Sequence, residues 1–262
     1  MNIFEAIILG VVQGITEFLP VSSSGHLILL KDWFELDTAS YTFDVTVHIA
    51  TLLAIIWVLR KEVWGVLSEL AETPWHRTML VKLVVATIPV GVIGVLLSDG
   101  LADALRTPWV VAVSLIVWGI ALWWVDGRVK KKKTNVDLQK MSWKQTLLIG
   151  CAQALALIPG TSRSGITMIA GLSTKMSRLE AARFSFLLSI PALAGAGLFT
   201  FMDVQGSGLD IEWVPLIAGF VSAFLAGLLA SSLLLKFLAS NKFKPFAIYR
   251  IVLGIVILSF LF

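Results

Sequence analysis

Two short stretches of the sequence combine hydroxyl, imidazole, carboxylate and guanidinium side chains inside strongly apolar regions. The first, QGITEFLPVSSSGH, carries Glu17, Ser23 and His26, with Gln13 and Glu17 four residues apart on one predicted helix face. The second, PGTSRSGIT at 159–167, places Arg163 among serine and threonine hydroxyls. Because ionisable residues within a membrane are costly, they mark functional sites by default.

These side chains suit the hydrolysis of a phosphate anhydride. A guanidinium offers a planar fork for two phosphate oxygens, and positive charge must neutralise a transferring phosphoryl group. A serine or histidine could attack directly, or the site could position a water molecule. Glu17 can serve as a base or hold a divalent cation. The sequence contains no GxxxxGK[ST] motif, so it does not predict a P-loop ATPase.

The second stretch also predicts an anion site at the start of a helix. We expect Gly165 to open a short helix, whose first amides lack an internal partner and favour an anion. The alternative for Arg163 is an ion pair with a carboxylate such as Glu17. The two interpretations are compatible, since a ligand can enter the same network.

The composition predicts a single all-α domain of a polytopic membrane protein. Of 262 residues, 57% are hydrophobic and only 15% are charged, and the mean hydropathy is +0.88. The net charge of +4 comes from basic residues between apolar spans, which favours cytoplasmic loops over nucleic-acid binding. Six stretches reach the roughly 20 apolar residues that a bilayer requires: 43–60, 79–97, 108–126, 181–201, 213–235 and 245–262.

Two further apolar regions, 1–30 and 143–174, are interrupted near their middle by Pro, Gly and Ser. The arms after the breaks, from His26 and from Ile166, are too short to span, so both regions are predicted to be re-entrant hairpins.

The two interrupted regions also resemble each other. GVVQGITEFLPVSSSG and GCAQALALIPGTSRSG align without a gap, and three spans follow each of them. An odd number of spans inverts the second half, which predicts an inverted-topology repeat with its site where the two breaks meet. The halves are 1–126 and 143–262, joined by a basic linker at 127–142.

The distribution of basic residues predicts the orientation. The segment 127–140 is the most basic and is assigned to the cytoplasm, together with Arg60, Lys61 and Arg77. The acidic loop 202–212 and the N-terminus are then outside.

The stretches GVVQGITEFLPVSSSGH, PGTSRSGIT, FSFLLSIPALAGA and PFAIYRIVLG resemble the undecaprenyl-diphosphate phosphatase family of the bacitracin-resistance type. The resemblance covers essentially the whole chain. It implies a multi-pass enzyme of the bacterial inner membrane that removes the terminal phosphate of undecaprenyl diphosphate. This activity recycles the lipid carrier for peptidoglycan and other envelope glycans, and it confers bacitracin resistance. It also implies dependence on Mg2+ or Ca2+ and a site that opens to the periplasmic or outer face.

The resemblance also implies roles for individual residues. Ser23 matches the candidate nucleophile, with His26 as its activating base or acid and Arg163 as the phosphate clamp. Glu17 matches the second acid of an (E/Q)xxxE pattern, as a metal ligand or orienting group. Gln13 fills the first position, where many members carry Glu, and an amide cannot act as a base. The predicted substrate-binding residues are Gln13, Ser22, Ser162, Ser164 and Thr167.

Two alternatives remain open from the sequence. His26 could itself be the nucleophile. The chain could also be a transporter or flippase of an anionic polyprenyl phosphate lipid, because broken helices in inverted repeats are a transporter architecture. A homodimer is a further expectation.

Overall fold

A computed structural model describes residues 1–36, 41–72, 78–97, 104–129, 141–204 and 212–261, together with Pro74 and Leu138. Within these ranges the regular secondary structure is helical, with no strand. The helices in chain order are α1 (Ile3–Phe18), α2 (Ser23–Trp33), α3 (Tyr41–Val58), α4 (Arg60–Glu72), α5 (Met79–Leu96), α6 (Pro108–Arg128), α7 (Trp143–Ala154), α8 (Arg163–Ser173), α9 (Arg178–Val204), α10 (Trp213–Leu238) and α11 (Lys244–Leu261).

Among the described helices, five are long and apolar enough to cross a membrane, namely α5, α6, α9, α10 and α11. They confirm five of the six predicted spans, with ends that differ by a few residues. The sixth, 43–60, corresponds to α3, which turns by 79° into α4 after Val58, so the two helices together form at most one broken span. Because α4 opens with Arg60, Lys61 and Glu62, the chain cannot continue straight through hydrocarbon. The sequence analysis did not predict α4 as a helix.

Both predicted interruptions are breaks between helices. The first lies between α1 and α2, and the second separates α7 from α8 and contains a short 3₁₀ turn at Leu155–Leu157. The second arms begin earlier than predicted, at Ser23 rather than His26 and at Arg163 rather than Ile166. In each case the preceding serine caps the helix, which moves its start by three residues.

Glycines allow the helices that lead into the breaks to pack closely on long helices. A Cβ atom added at Gly14 of α1 would lie 2.5 Å from the Ala223 carbonyl oxygen of α10. One added at Gly150 of α7 would lie 2.6 Å from the Ala86 carbonyl oxygen of α5. Helix association in membranes depends on such small residues because lipid tails are as apolar as leucine side chains. Each approach helix is thereby fixed against one long helix.

An apolar core cluster contains side chains next to both breaks, including Phe18 of α1 and Met168 of α8. Phe18 at the end of α1 meets Phe186 of α9 edge to face, with ring centroids 5.2 Å apart. The outer faces of the long helices are also apolar, as at Leu96, Val214 and Leu229. Apolar side chains on both faces fit a multi-pass membrane protein.

Parts of the predicted organisation fall on residues that are not described. These are 130–137 and 139–140 of the basic linker, 205–211 of the acidic loop, and Arg77.

Candidate active site

The two breaks have the same local structure. Ser22 and Ser162 are the N-caps of α2 and α8, and both hold left-handed backbone angles, with φ of 75° and 72°. The Ser22 hydroxyl accepts the Gly25 amide at 3.3 Å, and the Ser162 hydroxyl accepts the Gly165 amide at 3.0 Å. Left-handed angles cost a non-glycine residue about 1–3 kcal/mol, and such strain clusters at functional sites.

This capping corrects the predicted start of the second helix. The second helix begins at Arg163, not at Gly165, and the Gly165 amide already donates to the Ser162 hydroxyl. The capping hydroxyls of Ser22 and Ser162 are likewise engaged with backbone. Both serines thus set the local structure of the breaks, and their substrate-binding role stays a prediction.

An ion pair joins the two breaks. Nη2 of Arg163 donates to Oε1 of Glu17 at 2.9 Å, and Nη1 of Arg163 donates to the Ser185 carbonyl oxygen at 3.1 Å. The Ser164 hydroxyl adds a second bridge to the Leu19 carbonyl oxygen at 3.0 Å. Glu17 is only 6% exposed, so its charge is balanced locally by Arg163. The alternative interpretation of Arg163 as the partner of Glu17 is confirmed.

The second carboxylate oxygen of Glu17 accepts a hydrogen bond from Ser23, the predicted nucleophile. The Ser23 hydroxyl donates to Oε2 of Glu17 at 2.7 Å, and Nε2 of Gln13 donates to the same oxygen at 3.1 Å. A carboxylate in this position can orient a serine hydroxyl and accept its proton. Ser23 is therefore placed against Glu17, whereas the sequence analysis paired it with His26.

His26 lies in the same break with other partners. Its Nδ1 lies 2.7 Å from the Ser22 carbonyl oxygen, and its Nε2 lies 2.7 Å from the Tyr249 hydroxyl oxygen. A carbonyl oxygen can only accept, so Nδ1 carries the hydrogen and Nε2 of the neutral ring keeps its lone pair. In the resting site that lone pair faces the Tyr249 hydroxyl.

Burial divides the predicted site residues into two groups. Ser23, His26 and Arg163 are partly exposed, so a ligand can reach them. Six others are buried: Gln13, Glu17, Ser22, Ser162, Ser164 and Thr167. The Thr167 hydroxyl, for example, lies 2.7 Å from the Ser185 hydroxyl and supports the backbone beneath Arg163. The buried group thus surrounds and orients the three accessible side chains.

Sequence reasoning missed His48. This α3 residue was not among the predicted site residues, but Nε2 of His48 lies 3.8 Å from Oε2 of Glu17. Its Nδ1 lies 2.6 Å from the Asp44 carbonyl oxygen, which fixes the ring. A lone histidine in an apolar run gives no signal for a partner on another helix.

Sequence reasoning also missed Arg250 of α11. This side chain is 0% exposed and binds backbone carbonyl oxygens from both breaks. It donates to Pro20 at 3.0 Å and to Gly160 and Thr161 at 2.9 Å each, with a longer contact of 3.5 Å to Leu115. An arginine within a predicted span is itself a sequence signal for a functional residue.

The site can offer few protein ligands to a divalent cation. Among the described residues, no group of three or more His, Cys, Asp or Glu side chains could hold a metal ion. Glu17 is the carboxylate at the breaks, and Oε1 of the neighbouring Gln13 is buried without a hydrogen-bond partner. This pair fits a hard cation that keeps several waters and binds mainly to substrate phosphates, which is the usual manner of Mg2+.

Comparison with known proteins gives a consistent result over the whole chain. Residues 6–256 match the family model described as bacitracin resistance protein BacA. Undecaprenyl-diphosphatase 2 of Stutzerimonas stutzeri is 42% identical over 264 residues, covering 98% of each chain. Undecaprenyl-diphosphatase 1 of Pseudoalteromonas translucida is 40% identical over 272 residues, covering 100% of this chain and 99% of its own. Undecaprenyl-diphosphatase of Pelotomaculum thermopropionicum is 42% identical over 261 residues, covering 98% of this chain and 96% of its own.

Proposed function

Because the chain belongs to the family of the bacitracin resistance protein BacA, we propose that it is an undecaprenyl-diphosphatase of the membrane. It hydrolyses undecaprenyl diphosphate to undecaprenyl phosphate and inorganic phosphate, which recycles the lipid carrier for peptidoglycan and confers bacitracin resistance. Full-length relatives at about 40% identity are named for this activity. The observation that carries the proposal is the Ser23 hydroxyl held against Glu17, which is paired in turn with Arg163.

The geometry supports a two-step displacement. The Ser23 oxygen attacks the terminal phosphorus while Oε2 of Glu17 accepts the hydroxyl proton. The anhydride P–O bond breaks, and undecaprenyl phosphate leaves with the bridging oxygen and its electron pair. Water then hydrolyses the phosphoserine, which releases inorganic phosphate and restores the Ser23 hydroxyl. Attack by Nε2 of His26 is the alternative first step, and it requires the Tyr249 hydroxyl to release the Nε2 lone pair.

Arg163 can serve both the resting site and the substrate. Its guanidinium neutralises Glu17 and is partly exposed, and its Nε is buried without a hydrogen-bond partner. A terminal phosphate that accepts a hydrogen bond from one of these N–H groups has its negative charge neutralised by the guanidinium. Arg163 is therefore the proposed phosphate clamp.

Mg2+ or Ca2+ is the proposed cofactor. Glu17 and Oε1 of Gln13 would hold the ion, which when bound neutralises diphosphate charge. Since Gln13 has no negative charge, the substrate itself must provide most of the charged ligands.

We also propose that the chain is an inverted-topology repeat in which both broken helix pairs are re-entrant. The matching caps at Ser22 and Ser162 support this proposal. So does the packing, since α1 lies on α10 of the other half and α7 lies on α5 of the other half. The proposed halves are 1–126 and 143–262. The same proposal places the protein in the bacterial inner membrane, with a site that opens to the outside, and as a homodimer.

The experiment measures phosphate release from a C55 isoprenyl diphosphate by the purified full chain in detergent with Mg2+ or Ca2+. We expect turnover by the wild type and losses of at least about 100-fold for Ser23→Ala, His26→Ala and Arg163→Ala. Ser24→Ala is the matched control, because Ser24 is exposed and its hydroxyl lies near that of Ser22. Wild-type protein that binds the lipid but releases no phosphate would instead favour a transporter or flippase.

A further inference from the structure

Helix α11 reaches the first break with two consecutive side chains. Arg250 is fully buried and bonds to the Pro20 carbonyl oxygen, whereas Tyr249 is 46% exposed and lies 2.7 Å from Nε2 of His26. Of these two side chains, Tyr249 is the accessible one, and its hydroxyl lies next to an imidazole that a ligand can reach. Tyr249 takes no part in the proposed displacement.

The direction of the Tyr249 hydrogen bond follows from the other side of the imidazole. Nδ1 of His26 must donate to the Ser22 carbonyl oxygen, so Nε2 of the neutral ring is an acceptor. The Tyr249 hydroxyl therefore donates to Nε2. The Ser22 carbonyl therefore selects the tautomer, and the two bonds on opposite sides of the ring together fix its orientation.

Both partners of His26 are themselves held in place. Ser22 caps α2 with a left-handed φ of 75°, so its carbonyl is fixed within the break. Tyr249 is fixed because the adjacent Arg250 ties α11 to both breaks. The His26 and Tyr249 rings are nearly parallel, with an interplanar angle of 6°. A tyrosine that served only as an interfacial anchor would direct its hydroxyl to headgroups rather than to an imidazole.

We propose that Tyr249 is a positioning residue that fixes the orientation of the neutral His26 ring by donating its hydroxyl hydrogen to Nε2. This inference rests on the proposed function, in which His26 acts on the diphosphate. Partners that fix the tautomer and orientation of a working histidine typically change activity by about 10–100-fold when they are removed.

The first measurement is the steady-state kinetics of Tyr249→Phe, which keeps the ring and removes only the hydroxyl. We expect kcat to fall by about 10–100-fold while KM changes by less than about 3-fold, because the lost bond orients a reacting group rather than binding the lipid. Ser259→Ala is the matched control, since it removes another hydroxyl from α11 that bonds only within its own helix, to Val256. Its kcat should equal that of the wild type.

The second measurement is ¹⁵N NMR of histidine-labelled full chain, which contains three histidines. The His26 signals are assigned by their loss in His26→Asn. In the wild type we expect a protonated Nδ1 and an unprotonated Nε2, and in Tyr249→Phe a shift of the Nε2 signal, because that nitrogen loses its hydrogen-bond donor. This readout does not depend on turnover.

The outcomes separate the inference from the proposed function. A lower kcat together with shifted His26 signals supports the inference. An unchanged kcat in Tyr249→Phe, or a lower kcat with unchanged His26 signals, overturns it even if the wild type is active. If the wild type releases no phosphate, the proposed function fails, and unchanged His26 signals in Tyr249→Phe would overturn the inference separately.

Discussion

Replacing Arg250 with methionine tests how the two breaks are held together. Methionine replaces the aliphatic part of the arginine side chain, but it donates no hydrogen bond. The change leaves the carbonyl oxygens of Pro20, Gly160 and Thr161 without their donor in a fully buried place. The longer contact to Leu115 is weak and is not counted.

The magnitude follows from these three short bonds. A buried group left without its partner costs about 1–3 kcal/mol, so three carbonyls lose roughly 3–9 kcal/mol. Removing the guanidinium also removes the penalty for burying a charge, which offsets several kcal/mol of this loss. We therefore expect Arg250→Met to lower the free energy of unfolding by about 3–5 kcal/mol, in the lower part of that range because of the offset.

The assay is thermal unfolding in detergent, followed by the fluorescence of the ten tryptophans. A loss of this size corresponds to a fall in Tm of roughly 6–20 °C for a chain of this length. Arg128→Met is the control, because Arg128 is exposed and stacks on Trp124, and surface changes usually stay within about 0.5 kcal/mol. If Arg250→Met unfolds within about 2 °C of the wild type, the carbonyl bonds do not hold the breaks.

Two other substitutions test neighbouring features. His48→Ala should lower kcat by about 10-fold or less, because His48 lies 3.8 Å from Glu17 and acts on that carboxylate rather than on the substrate; a loss as large as that of Ser23→Ala would contradict this position. Gly150→Ala should destabilise the protein by about 1–3 kcal/mol, since its Cβ would meet the Ala86 backbone. Gly91→Ala, with no atom within 4 Å of the added Cβ, should stabilise it by up to about 1 kcal/mol; equal Tm changes for the two glycine variants would refute close packing at Gly150.

Hydropathy and local pattern were sufficient to predict much of this molecule. Five spans and both breaks followed from apolar runs and from their interruption by Pro, Gly and Ser. The meeting of Glu17 with Arg163 followed from the same reasoning, because two intramembrane charges of opposite sign stabilise each other. The breaks also carry their cap signal, since a serine three residues before a glycine can accept its amide.

The remaining features depend on distant contacts that leave no local pattern. Arg250 bonds to backbone oxygens about 90 and 230 residues away, and a backbone oxygen has no sequence signature. His48 and Tyr249 each meet a site residue from another helix, so their roles depend on how α3 and α11 pack. Arg60 and Lys61 mark the start of α4, but the sequence analysis used these charges only to predict the orientation.

The two breaks share a backbone but not their charges, and this has an evolutionary consequence. At the spacing that aligns Gly10 with Gly150, Ser23 corresponds to Arg163, and Glu17 corresponds to Leu157. Two copies of the first half would bring together two acids and no guanidinium, and two copies of the second half would bring together two guanidiniums and no acid. If the halves arose by duplication, an ancestor built from identical halves could not have held this ion pair. Under such a duplication, fusion into one chain would have let each copy diverge towards one charge.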